Sequence, residues 1–251
     1  MRILWDAESD DATLTASTEA PNLPVEYVQE PRLSMPWRST AIDDQWILID
    51  AGSGNTIEPD MVAIAGHNLT SGCTLKIQGN ATDSWGGTPT IDETITHRDD
   101  IIVHVFTGAA LRFWRLSIDD DANTDGYLQI GRLMLGTLLQ LPYVEPGENL
   151  PRETTSVASE SISGQAFGDR GIERRVPGFQ FPAVTEAERQ LLLTMWESVQ
   201  NIDPVVLVVW EDSLTVEGPI YCRLDQAEIP FQLAREAGLL WTTTLKFREV
   251  F

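Results

Sequence analysis

At 251 residues, 42% hydrophobic and 22% charged, the chain can bury a real core and build one large or two small domains. Its formal net charge is -21. Such a surface repels phosphate backbones, which excludes general nucleic-acid binding, and its acidity serves solubility. No stretch approaches the ~18 apolar residues of a membrane span, so membrane insertion is not expected. The start, Met1 to Glu8, reads as neither signal peptide nor anchor, and synthesis in the cytoplasm is expected. In that compartment Cys73 and Cys222 are expected as two reduced, buried thiols.

Residues 1–30 read as a first strand, Ile3 to Trp5, followed by an irregular arm rich in acids and prolines. From Trp37 to Leu135 the chain is a series of short strands separated by Gly, Asn and Pro turns. They are Trp46 to Asp50, Met61 to Gly66, Thr74 to Gln78, Ile101 to Val105, Phe113 to Ile118 and Leu128 to Leu135. Alternation at roughly ten-residue spacing predicts a sandwich or a barrel, and a β-sandwich of jelly-roll type is the expectation over 1–140. Pro142, Pro146, Gly147, Pro151 and the Ser/Thr run from Thr154 to Ser163 predict a linker or extended arm over 141–165. A smaller C-terminal β-domain with one amphipathic helix is expected over 166–251. Thr185-Glu-Ala-Glu188 is a capping box, and Ala187, Leu191, Leu192, Met195, Trp196 and Val199 follow at helical spacing. Asn201 is the expected left-handed end, and Pro204 forbids continuation. The run Val205 to Trp210 predicts a strand buried on both faces, and Leu239 to Phe251 alternates as a second.

Trp37-Arg-Ser-Thr, Ile47-Leu-Ile-Asp50, Ala65-Gly-His-Asn-Leu69, Phe113-Trp-Arg-Leu116 and Asp125-Gly-Tyr-Leu-Gln-Ile-Gly-Arg132 form an ordered series. Over about 37–136 it resembles the discoidin, or galactose-binding-like, β-sandwich of phage tail proteins. The C-terminal helix, its Pro-Val-Val-Leu-Val strand and the ending Thr-Leu-Lys-Phe-Arg-Glu resemble the ring domain of siphophage distal tail and related tail-tip proteins. The order of the two parts is the reverse of the usual one in that family. The resemblance implies a structural virion protein of the tail tip or baseplate, assembled in the host cytoplasm. Its implied partners are further copies of itself in a closed oligomer, the tail tube and hub, and a host surface glycan. A free carbohydrate-binding adhesin is the alternative.

Trp37, Arg38, His67, Asn68 and Trp85 are the residues that would hold a glycan. Indole faces stack on sugar C–H groups, and guanidinium or amide groups bond hydroxyls. For Trp37 and Arg38 the competing reading is a core plug and a local carboxylate partner; for His67 and Asn68 it is a loop that satisfies its own backbone. Asp119, Asp121, Asn123 and Asp125 reproduce the first half of a calcium loop, but Arg132 stands where the closing Glu belongs. Calcium is the only cofactor the sequence suggests, and an acid-rich turn is the other reading. Three histidines without metal spacing, and no nucleophile elbow, point to a protein that is not an enzyme.

Overall fold

The computed structural model describes residues 1–141, 150–209, 218–235 and 238–251, and the chain divides into two compact units. The first comprises Arg2–Gln140 with Val205–Tyr221 and Phe251; the second comprises Met1, Leu141–Pro204 and Cys222–Val250.

The first unit begins with β1 (Arg2–Asp6), β2 (Thr13–Ala16), β3 (Trp37–Arg38), β4 (Gln45–Asp50), β5 (Met61–Ala65) and β6 (Thr74–Asn80). It continues with β7 (Ile91–Ile95), β8 (Ile102–Val105), β9 (Phe113–Asp119), β10 (Gln129–Ile130) and β11 (Arg132–Gln140). One antiparallel sheet runs β2-β4-β9-β6-β7. The other runs from the strand Val205–Val208 through β1, β11 and β5 to β8. Strand parity explains the layers, because alternate side chains point to opposite faces. Ile47, Ile49, Leu116, Ile118, Leu75 and Ile77 from the first sheet meet Val62, Ile64, Leu133 and Leu135 from the second in one buried core. The fold is a mainly-β sandwich, one of the two architectures the alternation allows and the one expected.

Glycine is required at one close approach in this core. Gly79 lies opposite Trp114 in the β6–β9 ladder, and a Cβ there would stand 2.9 Å from the indole ring. That gap lets the fully buried Trp114 lie across β6, with Phe106 5.8 Å from it.

Three stretches differ from the sequence reading. The irregular arm after β1 contains β2, which pairs with β4 and adds Leu14 to the core, and a 3-10 turn that adds Val25 and Val28. β7, Ile-Asp-Glu-Thr-Ile, was not anticipated, since a polar edge strand carries no apolar alternation. The Val205 run is buried throughout, as expected, but Val206–Val208 pairs with Leu4–Arg2 of the first unit. Trp210 lies outside the described residues.

In the second unit β12 (Arg152–Thr154) pairs with β15 (Glu173–Arg175), and β13 (Val157–Glu160) with β14 (Ala166–Asp169). The Thr155 N–H donates to the Ile172 carbonyl between the two ladders, so 152–175 is one two-stranded ribbon. It occupies part of the stretch read as linker; Pro142, Pro146 and Gly147 lie outside the described residues. Beyond it come β16 (Gly178–Val184), α1 (Glu186–Val199), β17 (Val205–Val208, placed above), β18 (Ile220–Leu224), β19 (Phe231–Arg235) and β20 (Leu240–Glu249). β20 is central, pairing with β16, with β19 and with the Cys222–Leu224 part of β18. The β16–β20 register slips between Phe181 and Val184, where Pro182 has no N–H to give the ladder.

The helix is capped as its sequence dictates. The Glu188 N–H donates to Thr185 Oγ1 and the Thr185 N–H to Glu188 Oε2. Its buried face is narrower than the spacing implies: Leu192, Met195 and Val199 are buried, whereas Ala187 and Leu191 are exposed. The positive φ after it falls at Gln200 (48°) rather than Asn201. Glu186 accepts the Trp241 indole N–H at 2.8 Å, and Arg189 lies over the same ring, fixing α1 on β20.

Candidate functional site

The residues read as glycan contacts divide between two ends of the sandwich. Thr74 pairs with Asp119 at one end of β6, and Asn80 with Phe113 at the other. Those ends are about 20 Å apart at the usual strand rise. Arg38, His67 and Asn68 belong with the 120–129 loop at the first end; Trp85 follows the second.

At the loop end Asn68 is the knot. Its Nδ2 donates to Asp125 Oδ2 (2.9 Å) and to the Tyr127 carbonyl (3.0 Å), while its Oδ1 accepts the Gln129 N–H (2.7 Å). Arg38 lies over the Tyr127 ring, 3.9 Å from its centroid, and donates to Gln129 Oε1 at 2.9 Å. The expected local carboxylate is thus replaced by an amide and a ring. Trp37 is fully buried beneath, its indole N–H on the Thr18 carbonyl, so it is core and offers no face to a ligand.

Of the four residues read as calcium ligands, Asn123 is buried and Asp119, Asp121 and Asp125 are exposed. Asn123 Oδ1 accepts the Asp125 N–H at 3.0 Å, the self-bonded turn typical of Asn. Among the described residues no three His, Cys, Asp or Glu converge as metal ligands. The acid that organises this loop is Asp120, which sequence reasoning passed over. It is 1% exposed and accepts from the Thr70 N–H, the Thr70 hydroxyl and Asn123 Nδ2. Parity could have found it: Trp114, Leu116 and Ile118 point inward, and so does Asp120.

His67 stands beside this knot. Its Nδ1 accepts the Leu69 N–H at 3.2 Å, its ring meets His97 edge-on at 5.8 Å, and its buried Nε2 has no hydrogen-bond partner among the described residues. Burial first, and His97 second, push its pKa down to about 4, against the opposing pull of Asp100 and Asp99. The folded value lies below the unfolded one, so the neutral form is favoured by folding. Above the ordinary 6.5 His67 costs nothing; as pH falls from there toward 4 the folded state loses stability progressively, by up to about 3 kcal/mol. Urea melts at pH 7 and pH 4.5 check this. His67→Gln is expected to flatten the part of the acid-side loss due to this group, and an unchanged profile would contradict it.

The sheet end carries the exposed chemistry. On the outward face of the first sheet, Leu48, Arg115, Gln78 and Asp92 form one cross-strand row. Arg115 Nε and Nη2 both donate to Gln78 Oε1 (3.0 and 2.6 Å), and Gln78 Nε2 donates to Asp92 Oδ1 (3.0 Å). Hydrogen bonds from Gln78 and Lys76 hold the Asp92 carboxyl below its ordinary value. The half-buried Trp85 indole lies with the Arg115 guanidinium 4.5 Å from its centroid, and its N–H donates to Asp83 at 2.7 Å.

A shallow groove of about 520 Å³ lies elsewhere on this unit, lined by Glu58, Asp60, Phe106, Thr107, Gly108 and Thr137. Both cysteines are free: Cys222 is buried and Cys73 only half-buried, its thiol pushed up to about 11 chiefly by burial. Among the described residues no helix is long and apolar enough to cross a membrane.

No family model and no curated protein matches the chain. Among solved structures it is similar to chitosan-binding module 1 of a chitosanase/glucanase from Paenibacillus sp. IK-5, at 20% identity and a TM-score of 0.41, over 52% of this chain and 98% of that one. It is similar to the family 32 carbohydrate-binding module of NanJ from C. perfringens, solved with galactose, at 13% identity and 0.42, over 55% and 100%. The lectin domain of lectinolysin, complexed with Lewis B antigen, matches at 9% and 0.43, over 53% and 96%.

Proposed function

We propose that the chain is a non-enzymatic assembly protein of a phage tail tip, which self-associates through its second unit and displays its sandwich as a glycan-binding module. The ribbon 152–175 carries the self-association in this reading. Every residue from 154 to 173 except Ser161 is exposed, including Val157 (64%), Phe167 (55%), Ile172 (52%) and the fully exposed Ile162. A lone two-stranded ribbon is marginal in water, and open edges with apolar side chains invite a partner. Its base, by contrast, is fastened. Glu153 bridges Arg174 and Arg248, and the Arg175 N–H and Nε donate to the buried Glu249 of β20. A rigid base below an uncovered tip is how a docking arm is built.

The charge pattern fits a second copy as the occupant. Arg152, Arg170, Arg174 and Arg175 balance Glu153, Glu160, Asp169 and Glu173 within the ribbon, on a chain of net -21. A neutral arm meets an acidic body of its own kind without the repulsion that two bodies would feel. An arm-to-body link between identical subunits is a heterologous contact, which makes a ring where the rotation between copies closes and a filament where it does not; the closed ring is the form proposed here. The expected result in sedimentation velocity is a species several times the 27.9 kDa monomer in the micromolar range. Ile162→Glu with Phe167→Glu, both at exposed positions, is expected to return it to monomer with its melt unchanged. A monomeric wild type contradicts self-association. Immunogold labelling of purified particles tests the tail-tip placement, and label absent from the tail end contradicts it. The free adhesin is favoured instead by one observation, the fixed indole of Trp85, and predicts a soluble protein absent from particles.

A further inference from the structure

The outward face of the first sheet holds more than Trp85. Two aromatic rings stand there with one guanidinium each against them. Arg115 lies over Trp85, and Arg112 lies 4.5 Å from the centroid of Phe113. Each guanidinium is pinned in turn: Arg115 by the two bonds to Gln78 Oε1, Arg112 by two bonds to Asp50, at 2.6 and 2.8 Å. Trp46 and Leu48 of β4 share the face by parity, and both are half-buried. Trp46 pairs with Ser117 and Asp50 with Phe113, so the line from Trp46 past Leu48 to Phe113 is about 14 Å long.

We infer that this face, and not the loop end, is the ligand site of the sandwich, and that it takes an extended neutral polysaccharide chain along the line Trp46–Trp85–Phe113. The inference rests on the proposed reading of the sandwich as a glycan-binding module and fixes where and what it binds. Three features lead to it. The rings are immobilised before any ligand arrives, so little side-chain entropy remains to be lost on stacking. Hydrogen-bonding groups for a pyranose stand beside the rings on the neighbouring β6 and β7, on Lys76 and Asp92, aligned by their mutual bonds. The surface is an open sheet several residues long, which suits internal units of a chain more than a single terminal sugar. The ligand is neutral because Asp50, Asp83 and Asp92 balance the local cations and the -21 body repels polyanions. The loop end offers no indole face, because Trp37 is fully buried.

Native affinity electrophoresis of the full chain tests this, with soluble mannan, galactan, mixed-linkage β-glucan and dextran in the gel and polygalacturonate as the charged comparison. At least one neutral polymer is expected to retard the wild type, and polygalacturonate is not. Trp85→Ala and Phe113→Ala are each expected to weaken that binding about tenfold or more, Trp85→Phe to recover part of it, and Arg38→Ala to leave it unchanged. Melting curves of each variant separate lost binding from lost folding, and the Phe replacement keeps a ring where the Ala variant fails to fold. Retardation that survives both aromatic replacements but disappears in Arg38→Ala overturns the site and leaves the glycan-binding reading standing. Binding of galactose-terminated glycans without any polymer does the same. A wild type retarded by none of the polymers and retained by no glycan overturns both.

Discussion

Replacing Trp37 by alanine is expected to lower the unfolding free energy of the sandwich by about 3–5 kcal/mol, the range for a large aromatic removed from a core. The residue is fully buried, stands opposite Ile130 in the short β3–β10 pair, and gives its indole N–H to the Thr18 carbonyl at 3.1 Å. The change therefore opens a cavity and also leaves that carbonyl without its donor. Arg38→Ala, one position on, removes a half-exposed side chain stacked on Tyr127 and is expected to cost far less. Urea denaturation followed by near-UV circular dichroism checks the pair. Equal midpoints for Trp37→Ala and wild type would mean that Trp37 is not core.

The second large effect is expected at Asp10. Arg132 is the buried cation of the sandwich, its side chain 6% exposed, and its two terminal nitrogens reach Asp10 at 2.7 and 2.5 Å, with a further bond to the Val28 carbonyl at 3.1 Å. Asp10→Ala leaves that buried guanidinium without its counter-charge, and because Asp10 itself is 37% exposed the expected cost is about 1.5–3 kcal/mol. Removing one partner leaves the Arg132 charge uncompensated, whereas removing both does not. The double variant Asp10→Ala with Arg132→Met is accordingly expected to recover most of the loss. A double variant no more stable than Asp10→Ala alone, in the same urea titration, would contradict this account of the pair.

Arg132 illustrates what sequence reasoning reaches. It breaks the calcium-loop pattern at the closing position, and that much is visible locally. Its partner Asp10 lies 122 residues earlier, in a stretch read as an irregular arm, and no local pattern links the two. The same holds for Val205–Val208, whose apolar run announces a buried strand but not that Arg2–Leu4 is its neighbour. Strands with one buried face were legible because burial imposes period two: β4, and β9 up to its exposed last residue Asp119, alternate buried and half-buried positions. β7 and the ribbon were not legible, since neither buries a face that would write alternation into the sequence.

The candidate site was legible in part. The Gly-flanked turn marks Trp85 as a surface indole, but it is half-buried under Arg115 rather than exposed. Arg115, Gln78 and Phe113, which align beside it, became visible only with the β4–β9–β6 register. Arg38, His67 and Asn68 stand together at the loop end, where Asn68 bonds within the protein, while the buried Arg38 Nε and His67 Nε2 have no hydrogen-bond partner among the described residues.

The proposal that the ribbon is an assembly arm is tested most directly by amide hydrogen exchange on the unaltered chain, read over residues 154–173 in dilute and in concentrated solution. An uncovered two-stranded ribbon opens readily, so its amides exchange fast in the monomer. If a second copy covers it, protection of those amides rises with protein concentration while the core strands β4 and β9 stay equally protected at both. Ribbon amides that exchange at one and the same fast rate at every concentration would contradict the assembly reading.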